Sequence, residues 1–365
     1  MLKIKDITNY IEEIAPLRLQ ESYDNAGLIL GSPETETKSA LVTVDVTEEI
    51  IDEAIQNKIN LIIAHHPIVF SGLKKITGKN YVERVLLKAI KNDIAIYAAH
   101  TNIDSVNGGI NTKICEKLNL KDCKILKPVE GFLKKLVTFI PEEHAENVRE
   151  AVFKAGAGNI GNYDCCGYNI NGAGSFCGNE NTNPFVGEKQ KIHYEKEIRF
   201  ETIFPVYRQE KIIQALLNSH PYEEVAYDIY PLENSFEQAG MGMIGDFRKE
   251  KTEEEFLWQL KDTFGTGVIK HTRLRGKPVK KVAVCGGAGS FLLNHAISGK
   301  ADFFVTGDYK YHQFFDAENK IVIADIGHYE SEQFIKELFY ELLMKKFPTF
   351  AVRLSEVNTN PIFYF

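Results

Sequence analysis

The chain has 365 residues, 44% of them hydrophobic and 25% charged, with a formal net charge of -7. That length suits about two domains with substantial cores, and the acidic balance disfavours DNA as a partner, although a local basic patch would escape that argument. No run approaches the ~20 apolar residues of a membrane span, and Met1 to Ile7 lacks the apolar stretch of a signal peptide, which reads as a cytoplasmic chain.

Ile4, Ile7, Ile11 and Ile14 fall on one helical stripe. Ser39 to Val46 reads as a strand, and Thr47 is placed to cap a helix carrying Ile50, Ile51, Ala54 and Ile55. Asn60 to Ala64 is the next strand, Asn80 to Asn92 a helix, Ile94 to Ala99 a strand and Gly108 to Leu118 a helix. Nearly continuous apolar strands alternating with helices predict a parallel sheet covered on both faces. The same alternation returns in Val282 to Cys285, Phe291 to Ser298, Ala301 to Val305, Tyr309 to Phe315, Ile321 to Asp325 and a long helix from Ser331 to Lys346, with a final strand near Thr349.

Between these halves the pattern changes. Leu136 to Ile140, Glu142 to Lys154, strands around Tyr163 to Tyr168, Glu197 to Phe204, Arg208 to Leu217 and Ala226 to Leu232 give the order βαββαβ, a ferredoxin-like arrangement. The expected fold class is therefore α/β: a mostly parallel three-layer sheet domain, residues 1–127 and 248–365, with an inserted ferredoxin-like α+β domain at 128–247.

Three apolar runs release imidazoles and carboxylates at their C-terminal ends: His65-His66 after Leu61 to Ala64, His100 to Asp104 after Ile94 to Ala99, and His328 to Glu332 after Ile321 to Ile326. In open α/β sheets ligands bind at that edge. Adjacent residues on a strand point to opposite faces, so His65 and His66 suit two ions better than one. His328 and Glu332, at i and i+4, share a helix face, and the carboxylate can bridge. His65, His66, Asp104, His328 and Glu332 thus form a ligand set for two divalent metal ions per subunit, with Zn preferred and Mn, Fe or Co acceptable. The competing reading is separate polar residues at strand ends. His100, Asp308 and His312 are the candidates for moving protons, His100 alternatively for orienting a ligand or contacting substrate. Asp45 is an outer acid or a helix cap. Gly286 to Ser290 reads as a tight turn needing no ligand, and His220 to Glu224 as a structural turn first. The six cysteines hold no C-x-x-C pair and read as reduced thiols, with only a weak case for soft-metal binding by Cys165, Cys166 and Cys177.

Asp24 to Leu28, Ala64-His65-His66-Pro67, His100 to Asp104, Gly307-Asp308 and Gly327 to Glu332 together resemble the Ngg-interacting-factor-three-like family, also catalogued as GTP cyclohydrolase 1 type 2 homologues. The insert, with Tyr163 to Cys166 and His220 to Glu224, resembles the PII-like or CutA-like domain of its longer bacterial members. The resemblance implies a dinuclear metal site on the same five ligands and a toroidal homohexamer; the catalogue name implies opening of the GTP imidazole ring. Two functions follow: a metal-dependent hydrolase of a small nucleotide or phosphate-bearing compound, or a ring that stores, delivers or senses metal or nucleotide without turnover.

Overall fold

The computed structural model describes residues 2–365. The chain divides into two compact units, Met1–Lys127 with Gln238–Phe365, and Pro128–Glu237. No helix among the described residues is long and apolar enough to cross a membrane.

The first unit holds two large sheets where the sequence suggested one. In a five-stranded sheet, Ala351–Leu354, Ser39–Thr43, Leu61–Ala64 and Ala95–Ala98 run parallel in that spatial order, and Gly27–Leu30 closes one edge antiparallel. In a six-stranded sheet, Val279–Ala288, Phe303–Gly307 and Val322–Asp325 run parallel, Lys270–His271 and Phe236–Lys251 pair antiparallel on either side of them, and Lys121–Val129 is the edge strand beyond Phe236–Lys251. Four of the inner strands, Leu61–Ala64, Ala95–Ala98, Phe303–Gly307 and Val322–Asp325, are short and wholly buried. Each sheet has its own core. Leu41, Ile62 and Ile96 pack with Ile50, Val85 and Leu86, whereas Ala283, Phe304 and Ile323 pack with Leu292 and Ala296. Two separate apolar clusters explain the doubling, because each strand set buries its faces with its own helices.

Several local expectations shift. Thr47 stands at the N-cap of Glu48–Gln56 but makes no side-chain cap hydrogen bond. The helix expected from Ser331 is broken into His328–Glu332 and Ile335–Lys346. The helix Glu253–Phe264 was not anticipated, although Thr252 and Glu255 form a reciprocal capping box at its start, with bonds of 3.1 and 2.8 Å.

The second unit has the order strand, helix, strand, strand, helix, strand: Leu133–Pro141, Ala145–Lys154, Gly167–Cys177, Ile192–Pro205, Gln209–Ser219 and Tyr227–Leu232. Its four strands lie in the order last, first, third, second, all neighbours antiparallel. Leu136, Phe200 and Phe204 on one sheet face pack against Val148, Ile212 and Leu216 of the helices. The strand expected around Tyr163 to Tyr168 instead spans Gly167–Cys177. Its glycines depress strand propensity, yet it pairs along its whole length with Ile192–Pro205. The division falls before Gln238, because the 238–247 segment joins the long strand Phe236–Lys251, which pairs with Val279–Ala288 of the first unit.

Candidate metal centre

The parallel strands of the first unit stop where their apolar runs stop, and the polar residues that follow converge. His65 and His66 come directly after Leu61–Ala64; His100 precedes the short helix Thr101–Asp104 after Ala95–Ala98, and Asp104 ends it. His328 and Glu332 lie on the helix His328–Glu332 that follows Val322–Asp325. The first pair of clusters therefore comes from one sheet and the third from the other, not from a single sheet edge.

Three groups of ligand atoms form, each within 4.8 Å: His65, Asp104 and Glu332; His66, His328 and Glu332; and His65, His66 and His100. Glu332, nearly fully buried, faces two ways. Its Oε1 lies 3.6 Å from His65 Nε2, while its Oε2 lies 3.0 Å from His66 Nε2 and 3.1 Å from His328 Nε2.

All four imidazoles are held by their Nδ1 atoms, which aims Nε2 inward. His65 Nδ1 is 2.9 Å from the carbonyl oxygen of Ala99, His66 Nδ1 2.7 Å from Asp45, His100 Nδ1 2.8 Å from Asp24 and His328 Nδ1 2.8 Å from Asp308. Outer partners of this kind fix ring orientation in metal sites. For His65 the argument is strict: a carbonyl can only accept, so Nδ1 must donate. His65 Nε2 and Asp104 Oδ1 are buried with no hydrogen-bond partner among the described residues, 3.6 Å apart. A proton or a cation must sit between such atoms, and ligand bonds of about 2.0–2.2 Å leave just such a spacing around one ion. The donor set and the orphaned atoms thus fit a metal.

The electrostatics show the strain of so many like groups. Burial and the Glu332 carboxylate push the Asp104 carboxyl up to about 8. Burial also opposes the charge of Glu332, but the imidazoles of His65 and His328 override it and hold that carboxyl well below its usual range. Burial disfavours the charged forms of His66 and His328, yet Asp45 and Glu332 raise the first to about 10, and Asp308 and Glu332 raise the second to about 11. Without a metal, protons hold this cluster together.

The five expected ligands are brought together, and His100 joins them, its ring 5.3 Å from that of His65 and 5.2 Å from that of His66. Asp308 takes the hydrogen bond of His328 Nδ1, which holds its carboxyl below the usual range and orients that imidazole. His312 is exposed, packs on Tyr311 and Phe315, and is in none of the three groups among the described residues. Asp45 proves to be an outer acid, taking hydrogen bonds from His66 and from the Thr359 hydroxyl, the latter at 2.7 Å. Asp24 and Thr359 were not anticipated as partners, since their distance along the chain hides them. Gly286 to Ser290, expected as a tight turn, instead continues the strand Val279–Ala288 as far as Ala288, and it has a use: a Cβ on Gly287, which has φ +62°, would overlap the Glu332 carboxylate.

A family description, Duf34/NIF3 (NGG1p interacting factor 3), matches residues 2–361. The chain belongs to that family. Among NIF3 relatives, it is 40% identical over 360 residues to a Halalkalibacterium halodurans protein named GTP cyclohydrolase 1 type 2 homolog, with 97% of each covered. A Bacillus subtilis protein of the same name is 39% identical over 364 residues, covering 98% of this chain and 97% of the relative. A crystal structure of a Bacillus cereus protein related to NIF3 superposes with a TM-score of 0.87 at 38% identity, over 100% of this chain and 99% of that one.

Proposed function

We propose that this chain holds two divalent metal ions per subunit and hydrolyses a small nucleotide or another phosphate-bearing compound. The observation that carries the reading is Glu332, whose two oxygens face separate ligand groups, His65 with Asp104 and His66 with His328. Bound there, divalent ions would supply Lewis acidity toward a phosphate or carbonyl oxygen and lower the pKa of a water. His100 is the residue that moves protons: Asp24 fixes its Nδ1, and its ring sits beside His65 and His66. Asp45, Asp308 and the Ala99 carbonyl keep the imidazoles aimed. The name carried by the Halalkalibacterium and Bacillus relatives makes GTP the first substrate to try. The inserted unit we assign to the PII-like or CutA-like class, which its strand order supports, and the assembly to the homohexamer implied by the family resemblance.

The test is turnover of the metal-loaded protein against GTP and a panel of phosphoesters, with Asp104→Ala as control. Product formation lost in Asp104→Ala supports the hydrolase. Metal retained without turnover on any of them favours the alternative, a metal-storing or sensing ring. Less than one ion per chain by elemental analysis overturns both.

A further inference from the structure

We propose that Tyr23 and Phe70 form the face on which the substrate of the metal centre lays a flat heteroaromatic ring, so that this site selects a nucleotide over a simple sugar or alkyl phosphate. The inference rests on the hydrolase reading above and deepens it. Tyr23 directly precedes Asp24, the acid that holds His100 Nδ1 at 2.8 Å. Phe70 follows His65-His66 on the segment that leaves the strand Leu61–Ala64. The two ring centres are 6.2 Å apart, with their planes tilted by 33°. The Phe70 ring also meets the His100 ring edge to face, centres 6.0 Å apart, and that imidazole adjoins the rings of His65 and His66. The aromatic pair is therefore continuous with the ligand groups.

Both rings are open to solvent, Tyr23 60% exposed and Phe70 50%, although burial is most of what an aromatic side chain contributes to a fold. The fold does not need Phe70 as an anchor: Ile68 and Val69, just before it, already pack on the core of the five-stranded sheet. The segments that carry the rings are nevertheless fixed. Asn25 Nδ2 donates to the carbonyl oxygen of Val69 at 2.6 Å, which ties the Tyr23 segment to the Phe70 segment. Asp24 accepts from the backbone N–H of Thr101 at 3.0 Å as well as from His100. Two large rings are thus held beside a polar centre without being buried, which marks a surface that a ligand covers.

The chemistry narrows the ligand. Aromatic rings accept another ring by offset stacking or edge-on contact at centre separations of about 4.5–7 Å, a gain that a ribose or an alkyl chain does not share. In the hydrolase reading the phosphate goes to the metal ions. The His100 ring lies between the aromatic pair and the metal ligands, so a compound that uses both carries its ring at one end and its phosphate at the other. A mononucleotide is built that way. Tyr23 and Phe70 are then the residues that set specificity, and His100 meets the part of the substrate between base and phosphate.

The experiment titrates the full-length, metal-loaded protein with GMP and with ribose 5-phosphate by calorimetry. GMP is expected to bind about tenfold more tightly, the usual effect of stacking one base on an aromatic side chain. Phe70→Leu keeps apolar bulk and removes the ring; it should weaken GMP about tenfold while ribose 5-phosphate binding and metal content stay as they were. Tyr23→Ala, at the more exposed ring, should weaken GMP several-fold and keeps the test open if Phe70→Leu proves unstable. No GMP binding, equal affinity for GMP and ribose 5-phosphate, or GMP affinity unchanged in both variants would overturn the proposal. So would a smaller assembly by sedimentation with GMP affinity retained, since the rings would then be a subunit contact. Turnover separates the two readings. GMP selectivity without turnover of any phosphoester supports the aromatic face and removes the hydrolase; turnover with no preference for GMP does the reverse.

Discussion

The two units each bury a carboxylate and treat it in opposite ways. Glu332 in the first unit is surrounded by imidazoles and a second carboxylate, and neighbouring ligand atoms, His65 Nε2 and Asp104 Oδ1, find no hydrogen-bond partner among the described residues. Glu197 in the second unit has a tyrosine hydroxyl and aromatic walls. The first arrangement concentrates donor atoms so densely that only cations or protons reconcile them. The second satisfies its carboxylate with a neutral donor and leaves the nearby Arg199 paired to Glu201. Similar costs of burying charge are therefore met in different ways, because the neighbours differ.

The sharpest way to break this contrast is Glu332→Ala. Both ligand groups share that residue, so elemental analysis should find almost all bound metal lost, whereas His100→Ala should keep most of it. Equal losses would show that Glu332 is not shared between two ions. Next in size is the core of the second unit. Phe200 is fully buried among Leu136, Phe204 and Ile212, and Phe200→Ala should cost about 3–5 kcal/mol in denaturant unfolding of that unit. Metal content should stay unchanged, since the metal ligands and their packing partners lie in the other unit; a parallel loss of metal would mean the two are energetically one.

Asp308→Asn probes the outer partners. The asparagine tolerates the left-handed backbone there, φ 55°, but replaces a charged acceptor for His328 with a neutral one. Metal affinity should fall about 10-fold or somewhat more, read by competition with a chelator. An unchanged affinity would show that His328 is oriented by the helix alone. The smallest effect expected is at the capping box of Glu253–Phe264, where Thr252→Ala should cost about 1 kcal/mol with neither site altered, a baseline for ordinary local destabilisation in the first unit.

Much of the centre was legible before the fold was known. A short apolar run that ends in His65-His66 or in His328 announces a strand end, and ligand chemistry at a strand end is visible in residue types alone. The proton-moving candidates were harder. Asp308 and His312 look alike in sequence, four residues apart on one segment, yet one hydrogen-bonds His328 and the other packs on Tyr311 and Phe315 in the short 3-10 helix Tyr311–Ala317. The outer partners Asp24 and Thr359 were invisible as such, because each meets its imidazole or carboxylate across a long stretch of chain. The strand Gly167–Cys177 was misplaced for a related reason: its glycines carry no periodic signal, and only pairing with Ile192–Pro205 makes it a strand.

By itself the sequence determined the alternation of buried strands and helices, the break to βαββαβ in the middle, and the identity of the ligand types, because apolar periodicity and side-chain chemistry are local properties. Only the tertiary structure decided that the first unit builds two sheets rather than one, that Glu332 turns its oxygens to different partners, and that Glu197 takes a hydrogen bond from Tyr222 while Arg199 pairs with Glu201. Those are matters of which surfaces pack together, and packing joins residues that the linear order keeps hundreds of positions apart.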